Sequence, residues 1–155
     1  MLKYVNTGIV FQEIPDEVTL SVNISNCPCH CMGCHSKYLW DDVGLPLTAE
    51  TIDGFMRRYG QGITCLCFMG GDADPDGVYS LARYARSTYP DVRVGWYSGR
   101  SNAARQGDCK VFDYIKTGPY VEALGGLKST STNQRLYKRK ADGSLADITF
   151  RLWKK

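Results

Sequence analysis

The residues best suited to chemistry are seven cysteines, four of which (Cys27, Cys29, Cys31 and Cys34) fall within eight positions. Thiolates are soft ligands and nucleophiles, so such a group points to a metal or a redox centre. The spacing Cys27-x3-Cys31-x2-Cys34 aims three thiolates from one loop at a common centre. Iron–sulfur clusters normally take four cysteines, so a site with three finds a fourth elsewhere or keeps one iron for a small molecule. We read Cys27, Cys31 and Cys34 as metal ligands of one 4Fe–4S cluster with an open iron. Two other chemistries share the pattern. Zinc would need a tetrahedral set completed by Cys29, His30, His35 or Cys109, but the two-pair spacing of a zinc module is absent. A redox dithiol would use Cys31-Met32-Gly33-Cys34, which fits in spacing alone. Cys29 reads as a bystander, because one loop does not easily aim four near-adjacent thiolates at one cube. Cys65 and Cys67 share one face of an apolar run, where packing explains them. Cys109 belongs to no pattern.

Composition frames these residues. At 155 residues, 43% hydrophobic and 23% charged, the chain reads as a single domain, 1–155, with a sizeable core. No apolar run approaches the roughly 20 residues that cross a bilayer. The start, MLKYVNTGIVFQEIP, lacks the basic and apolar regions of a secretory signal, so a cytoplasmic location is expected. In that reducing compartment, clustered cysteines bind metal more readily than they form disulfides, and their odd number argues against a fully paired framework. Net charge is only +3, but residues 128–155 concentrate Lys128, Arg135, Lys138, Arg139, Lys140, Arg151, Lys154 and Lys155 against Asp142 and Asp147. A basic segment of this kind suits nucleic acid, nucleotide phosphates or an acidic protein face, or is simply a solvated hairpin.

The elements that must position the cysteines follow from periodicity. Gly8–Ile14 and Val18–Ser25 read as strands around the turn Pro15-Asp16-Glu17. In the second, Val18, Leu20, Val22 and Ile24 alternate with polar residues, as in a half-buried strand. Residues 26–47 read as one long functional loop. Thr48 is a helix N-cap, followed by Ile52, Phe55, Met56 and Tyr59 at helical spacing and ended by Gly60. Ile63–Met69 is apolar throughout, as in a parallel strand buried on both faces, and runs into Gly70-Gly71-Asp72. Asp74-Pro75 opens a second helix with a stripe of Val78, Leu81, Ala82 and Ala85. Val92–Tyr97 and Phe112–Lys116 read as further strands. Leu136–Lys140 and Ile148–Trp153 flank Asp142-Gly143, a hairpin signal. The fold class expected is α/β: a partial, open (βα) barrel with a mostly parallel sheet and a C-terminal hairpin, too short for a complete barrel of about 250 residues.

Cys-x3-Cys-x2-Cys after one strand, with Gly-Gly-Asp ending the next apolar strand, resembles the radical S-adenosylmethionine enzymes. Within that superfamily, Pro-Cys-His-Cys-Met-Gly-Cys-His at 28–35, Gly70-Gly71-Asp72, Trp96-Tyr97-Ser98-Gly99 and Lys116-Thr117-Gly118-Pro119-Tyr120 are similar to activases of glycyl-radical enzymes, in particular those serving anaerobic ribonucleoside-triphosphate reductase. The likeness spans roughly residues 8–140. Many superfamily members carry an aromatic residue just before the third cysteine, whereas this chain has Gly33, which suits the reductase-activase branch. The resemblance implies two cofactors, a 4Fe–4S cluster and S-adenosyl-L-methionine. The open iron would chelate the amino and carboxylate groups of the methionine moiety. Gly70 and Gly71 would let backbone approach that ligand, Asp72 would accept from its ammonium group, and Ser98 would bond its ribose or carboxylate. Relatives often carry an acidic residue near the positions of Lys116 and Thr117, so no role is carried over to those two. The implied reaction is reductive cleavage by an external one-electron donor such as a flavodoxin. The radical so formed would take hydrogen from a glycine of the reductase partner. No membrane and no direct nucleic-acid contact are expected. Activation of another glycyl-radical enzyme is the nearest alternative. A zinc-stabilised nucleic-acid-binding module is the alternative from a different class.

Overall fold

The computed structural model describes residues 2–11, 13–27, 41–105 and 109–153. Strands β1 (Lys3–Val10), β2 (Thr19–Ile24), β3 (Leu45–Pro46), β4 (Cys65–Met69), β5 (Arg93–Tyr97), β6 (Tyr114–Thr117), β7 (Arg135–Arg139) and β8 (Leu145–Asp147) form one sheet, ordered β3-β1-β2-β4-β5-β6-β7-β8. The four central strands, β2, β4, β5 and β6, run parallel, and the outer strands pair antiparallel. The sheet is therefore mixed. Among the described residues, no helix is long and apolar enough to cross a membrane.

Helices α1 (Ala49–Tyr59) and α2 (Pro75–Thr88) connect β2 to β4 and β4 to β5. Both start where the sequence signals them. Thr48 forms a capping box with Thr51, and the Asp74 carboxylate accepts from the Gly77 N–H at 3.2 Å, with Pro75 in the first turn. Their buried stripes, Ile52 and Met56 on α1 and Val78, Tyr79, Ala82 and Ala85 on α2, pack on one face of the sheet against Val22, Phe68, Val94 and Trp96. Asp53 on α1 accepts hydrogen bonds from the Tyr84 and Tyr89 hydroxyls and so ties α1 to α2 and its C-terminal cap.

The opposite face is also covered. Ile14 from the β1–β2 connection, with Leu136 and Ile148, packs on Cys65, Cys67 and Tyr114. This second layer explains why β4 is apolar at every position. It also corrects the half-buried reading of β2, whose Thr19 and Ser21 are buried like their apolar neighbours; the Ser21 hydroxyl donates to the Gly8 carbonyl at 3.1 Å. Strand boundaries differ from expectation, most of all at β1, which runs Lys3–Val10 rather than Gly8–Ile14, and at the C-terminal hairpin. β1 begins at Lys3, because its pairing with β2 extends from Val10↔Thr19 back to Tyr4↔Ile24. The C-terminal hairpin closes early: Gly143 N–H bonds to the Lys140 carbonyl and Lys140 N–H to the Ser144 carbonyl, so Leu145 already pairs with Arg139. The stretch read as a strand over Ile148–Trp153 instead holds a short 3₁₀ turn, Thr149–Leu152, and the Thr149 hydroxyl accepts from the Leu136 N–H at 2.8 Å.

Candidate functional site

Register builds the site. Asn23, Met69, Tyr97 and Lys116 lie in one row across the four parallel strands, at or next to their C-terminal ends. The chain continues from that row into Cys27 after β2, Gly70-Gly71-Asp72 after β4 and Ser98 after β5. One sheet edge therefore collects them, the edge at which ligands gather in parallel α/β sheets.

Cys27 is partly buried, with a free thiol. Asn26 before it takes a left-handed φ of 60°, and its N–H donates to the Asp41 carbonyl at 2.9 Å. Asn tolerates that conformation better than most residues. This bond joins the two ends of the segment in which Cys29, Cys31 and Cys34 stand, and those three cysteines lie outside the described residues. Among the described residues, no three His, Cys, Asp or Glu side chains gather as a metal site. Cys65 and Cys67 are fully buried, and burial first of all pushes both thiols well above the usual cysteine range. They are neutral packing groups, unsuited to act as ligands or nucleophiles. The Cys109 thiol, buried beside α2, donates to the Ala104 carbonyl at 3.3 Å.

The Gly-Gly-Asp turn needs its glycines. Gly70 and Gly71 have φ of +109° and +92°, and a Cβ on Gly71 would stand 2.5 Å from Val78 Cγ2. Gly71→Ala should therefore destabilise the fold by about 2–4 kcal/mol, combining left-handed strain with overpacking, as read by urea unfolding. Trp96, stacked on Phe112 in the core, donates its indole N–H to the Gly70 carbonyl at 2.7 Å. A buried aromatic thus fixes the turn from behind.

Asp72 is 2% exposed. One carboxylate oxygen accepts from the Ser98 hydroxyl, and the other accepts from the Gly99 N–H at 2.8 Å. Arg100 donates to the Asp72 carbonyl at 2.8 Å, and its Nε lies 3.9 Å from the carboxylate. Lys116 Nζ bonds to the Ser98 carbonyl at 3.1 Å and the Gly118 carbonyl at 2.9 Å, joining the ends of β5 and β6. Two of the site residues expected from sequence, Asp72 and Ser98, are thus direct partners. Trp96, Gly99, Arg100 and Lys116 complete the network. Trp96, Gly99 and Lys116 stand in motifs that carry the resemblance, without an assigned role, and the signal for Arg100 was only its position just after a strand end. An apolar concavity of about 320 Å³ opens beside this edge, lined in part by Tyr97, Tyr120, Leu127 and Leu152.

Among the described residues, one thiol, that of Cys27, stands at the edge where the parallel strands end, and the fully buried Cys65 and Cys67 stand apart from it in the core. The family model described as "4Fe-4S single cluster domain" matches residues 17–137, a span that contains all seven cysteines. No curated protein and no solved structure matches the chain. Four cysteines that follow β2 in sequence and a match over most of the length lead to one assignment: the chain belongs to the 4Fe-4S single cluster domain family.

Proposed function

We propose that this chain is a radical S-adenosylmethionine activase, which uses a 4Fe–4S cluster to install a glycyl radical on anaerobic ribonucleoside-triphosphate reductase. One observation carries the reading: Cys27 and the Gly70-Gly71-Asp72 turn leave adjacent parallel strands at the same sheet edge, in a chain of the 4Fe–4S family. The same reading takes the sheet with its two helices as a partial, open (βα) barrel.

In this proposal Cys27, Cys31 and Cys34 would hold the cluster, leaving one iron without a protein ligand. Bound there, the cluster would supply the one-electron chemistry for reductive cleavage of S-adenosylmethionine, and so the oxidising equivalent that is passed to a glycine of the partner. The chain's own residues bind and orient. Gly70 and Gly71, lacking side chains, leave backbone open to the methionine moiety. The Asp72 carboxylate, oriented by the Ser98 and Gly99 bonds, is a negative group whose charge suits an ammonium group. Through those bonds it also sets the Ser98–Arg100 turn. The apolar concavity beside Tyr97 suits an extended peptide segment and excludes water from it. An external one-electron donor such as a flavodoxin supplies the reducing equivalent.

The test mixes the reduced protein, S-adenosylmethionine and candidate glycyl-radical enzymes without oxygen, with a glycyl EPR doublet as readout. A doublet on the reductase is expected. A doublet only on another glycyl-radical enzyme would reassign the partner. Stoichiometric zinc in a colourless protein that takes up no iron and sulfide would favour the zinc-stabilised module instead.

A further inference from the structure

Most of the positive charge of the C-terminal region stands away from the site above, and the fold gathers much of it in one place. Lys138, Arg139 and Lys140, at and after the end of β7, line one concavity of about 600 Å³ together with Arg86, Arg93 and Lys110. Arg93 and Tyr114, the first residues of β5 and β6, also line it. It therefore opens at the N-terminal ends of the parallel strands, opposite the edge that carries Cys27 and Asp72.

Among the described residues, two acids, Asp113 and Asp142, line this concavity, and both are engaged. Asp113 takes Arg86 at 3.0 Å and the Val94 N–H at 2.9 Å. Asp142 takes the Ser144 hydroxyl at 2.6 Å and the Ser144 N–H at 2.9 Å. Arg93 pairs with Glu17 at 3.0 Å. Among the described residues, Lys110, Lys138, Arg139 and Lys140 form no ion pair with a carboxylate. Arg139 is also fixed in place: its guanidinium donates to the carbonyls of Phe112 at 3.3 Å, Gly143 at 3.0 Å and Cys109 at 2.8 Å. Its charge is thus oriented by the fold and left unneutralised, a preorganised anion-binding element.

We propose that this concavity binds a diphosphate or triphosphate group. The chemistry favours a compact polyanion. A nucleic-acid strand is tracked by a basic stripe along its backbone, whereas these cations converge on one hollow whose volume falls in the range of small-ligand sites. A single carboxylate would leave most of the charge unmet. Free polyphosphate and the phosphate chain of a nucleotide share this chemistry. The site is separate from the cluster and does not rest on the activase reading.

The experiment is calorimetric titration of the full chain with inorganic tripolyphosphate, ATP and an octaglutamate peptide at low salt, repeated on the triple variant Lys110→Gln, Lys138→Gln, Lys140→Gln. An unchanged unfolding midpoint is required of the variant, and its exposed or half-exposed lysines make that the expected outcome. Tripolyphosphate should bind the native chain and lose roughly tenfold or more in affinity in the variant. Equal affinity for ATP would place recognition in the phosphate chain alone, and tighter ATP binding would add nucleoside contacts; both support the proposal. No binding of tripolyphosphate at about 1 mM, equal binding to the variant, or tighter binding of octaglutamate would overturn it.

Discussion

Cys27→Ala, reconstituted with iron and sulfide, should retain almost no cluster, whereas Cys29→Ala should hold a full complement. A cluster with three protein thiolates has no ligand in reserve, so loss of one exposes a second iron to solvent and exchange. The described thiols offer no substitute. Cys65 and Cys67 are buried as neutral groups on the face of β4 opposite the helices, and Cys109 packs beside α2. Cys27 is the described thiol at the edge where the parallel strands end, next to Asn26, whose N–H donates to the Asp41 carbonyl. Iron and acid-labile sulfide analysis reads the outcome directly. Equal loss in both variants would move Cys29 into the ligand set, and retention in Cys27→Ala would remove Cys27 from it.

The second large effect concerns Asp72. Asp72→Ala leaves the Ser98 hydroxyl and the Gly99 N–H without their acceptor inside a nearly closed site, and removes the carboxylate beside Arg100. Unsatisfied buried donors of this kind cost about 1–3 kcal/mol each, partly recovered by relaxation, so a loss of about 2–4 kcal/mol in urea unfolding is expected. Asp72→Asn keeps the shape but turns an NH₂ group toward one of those donors and removes the negative charge. It should unfold more easily by a smaller margin and still weaken S-adenosylmethionine binding by roughly tenfold or more, since a charge-assisted bond to the ammonium group is lost. Equilibrium dialysis separates the two effects. Native affinity in Asp72→Asn would make Asp72 a structural residue that only orders the Ser98–Arg100 turn.

Much of this was legible because local signals and burial agree. Thr48 and Asp74 cap their helices through their own side chains, a contact that sequence spacing specifies. β4 reads as a doubly buried strand because every residue in it is apolar. Cys27 and Gly70-Gly71-Asp72 could be joined because each directly follows a strand, and parallel neighbours bring such ends together. What escaped depends on long-range pairing. The start of β1 at Lys3 is set by its register on β2, and the burial of Thr19 and Ser21 by a layer including Ile14 and Ile148, remote in sequence. The roles of Trp96 and Arg100 exist only once β5 lies beside β4, so that an indole and a guanidinium reach the glycine turn. The basic segment was visible as composition, but its convergence with Arg86 and Lys110 on one hollow required the fold.

The central claim, an open iron that holds S-adenosylmethionine beside Gly70–Asp72, has one direct measurement. Reconstituted protein is reduced without oxygen, mixed with S-adenosylmethionine and assayed for 5′-deoxyadenosine and methionine. Equal amounts of the two products, absent in Cys27→Ala, are expected; iron-loaded, reduced protein that forms neither would contradict the claim.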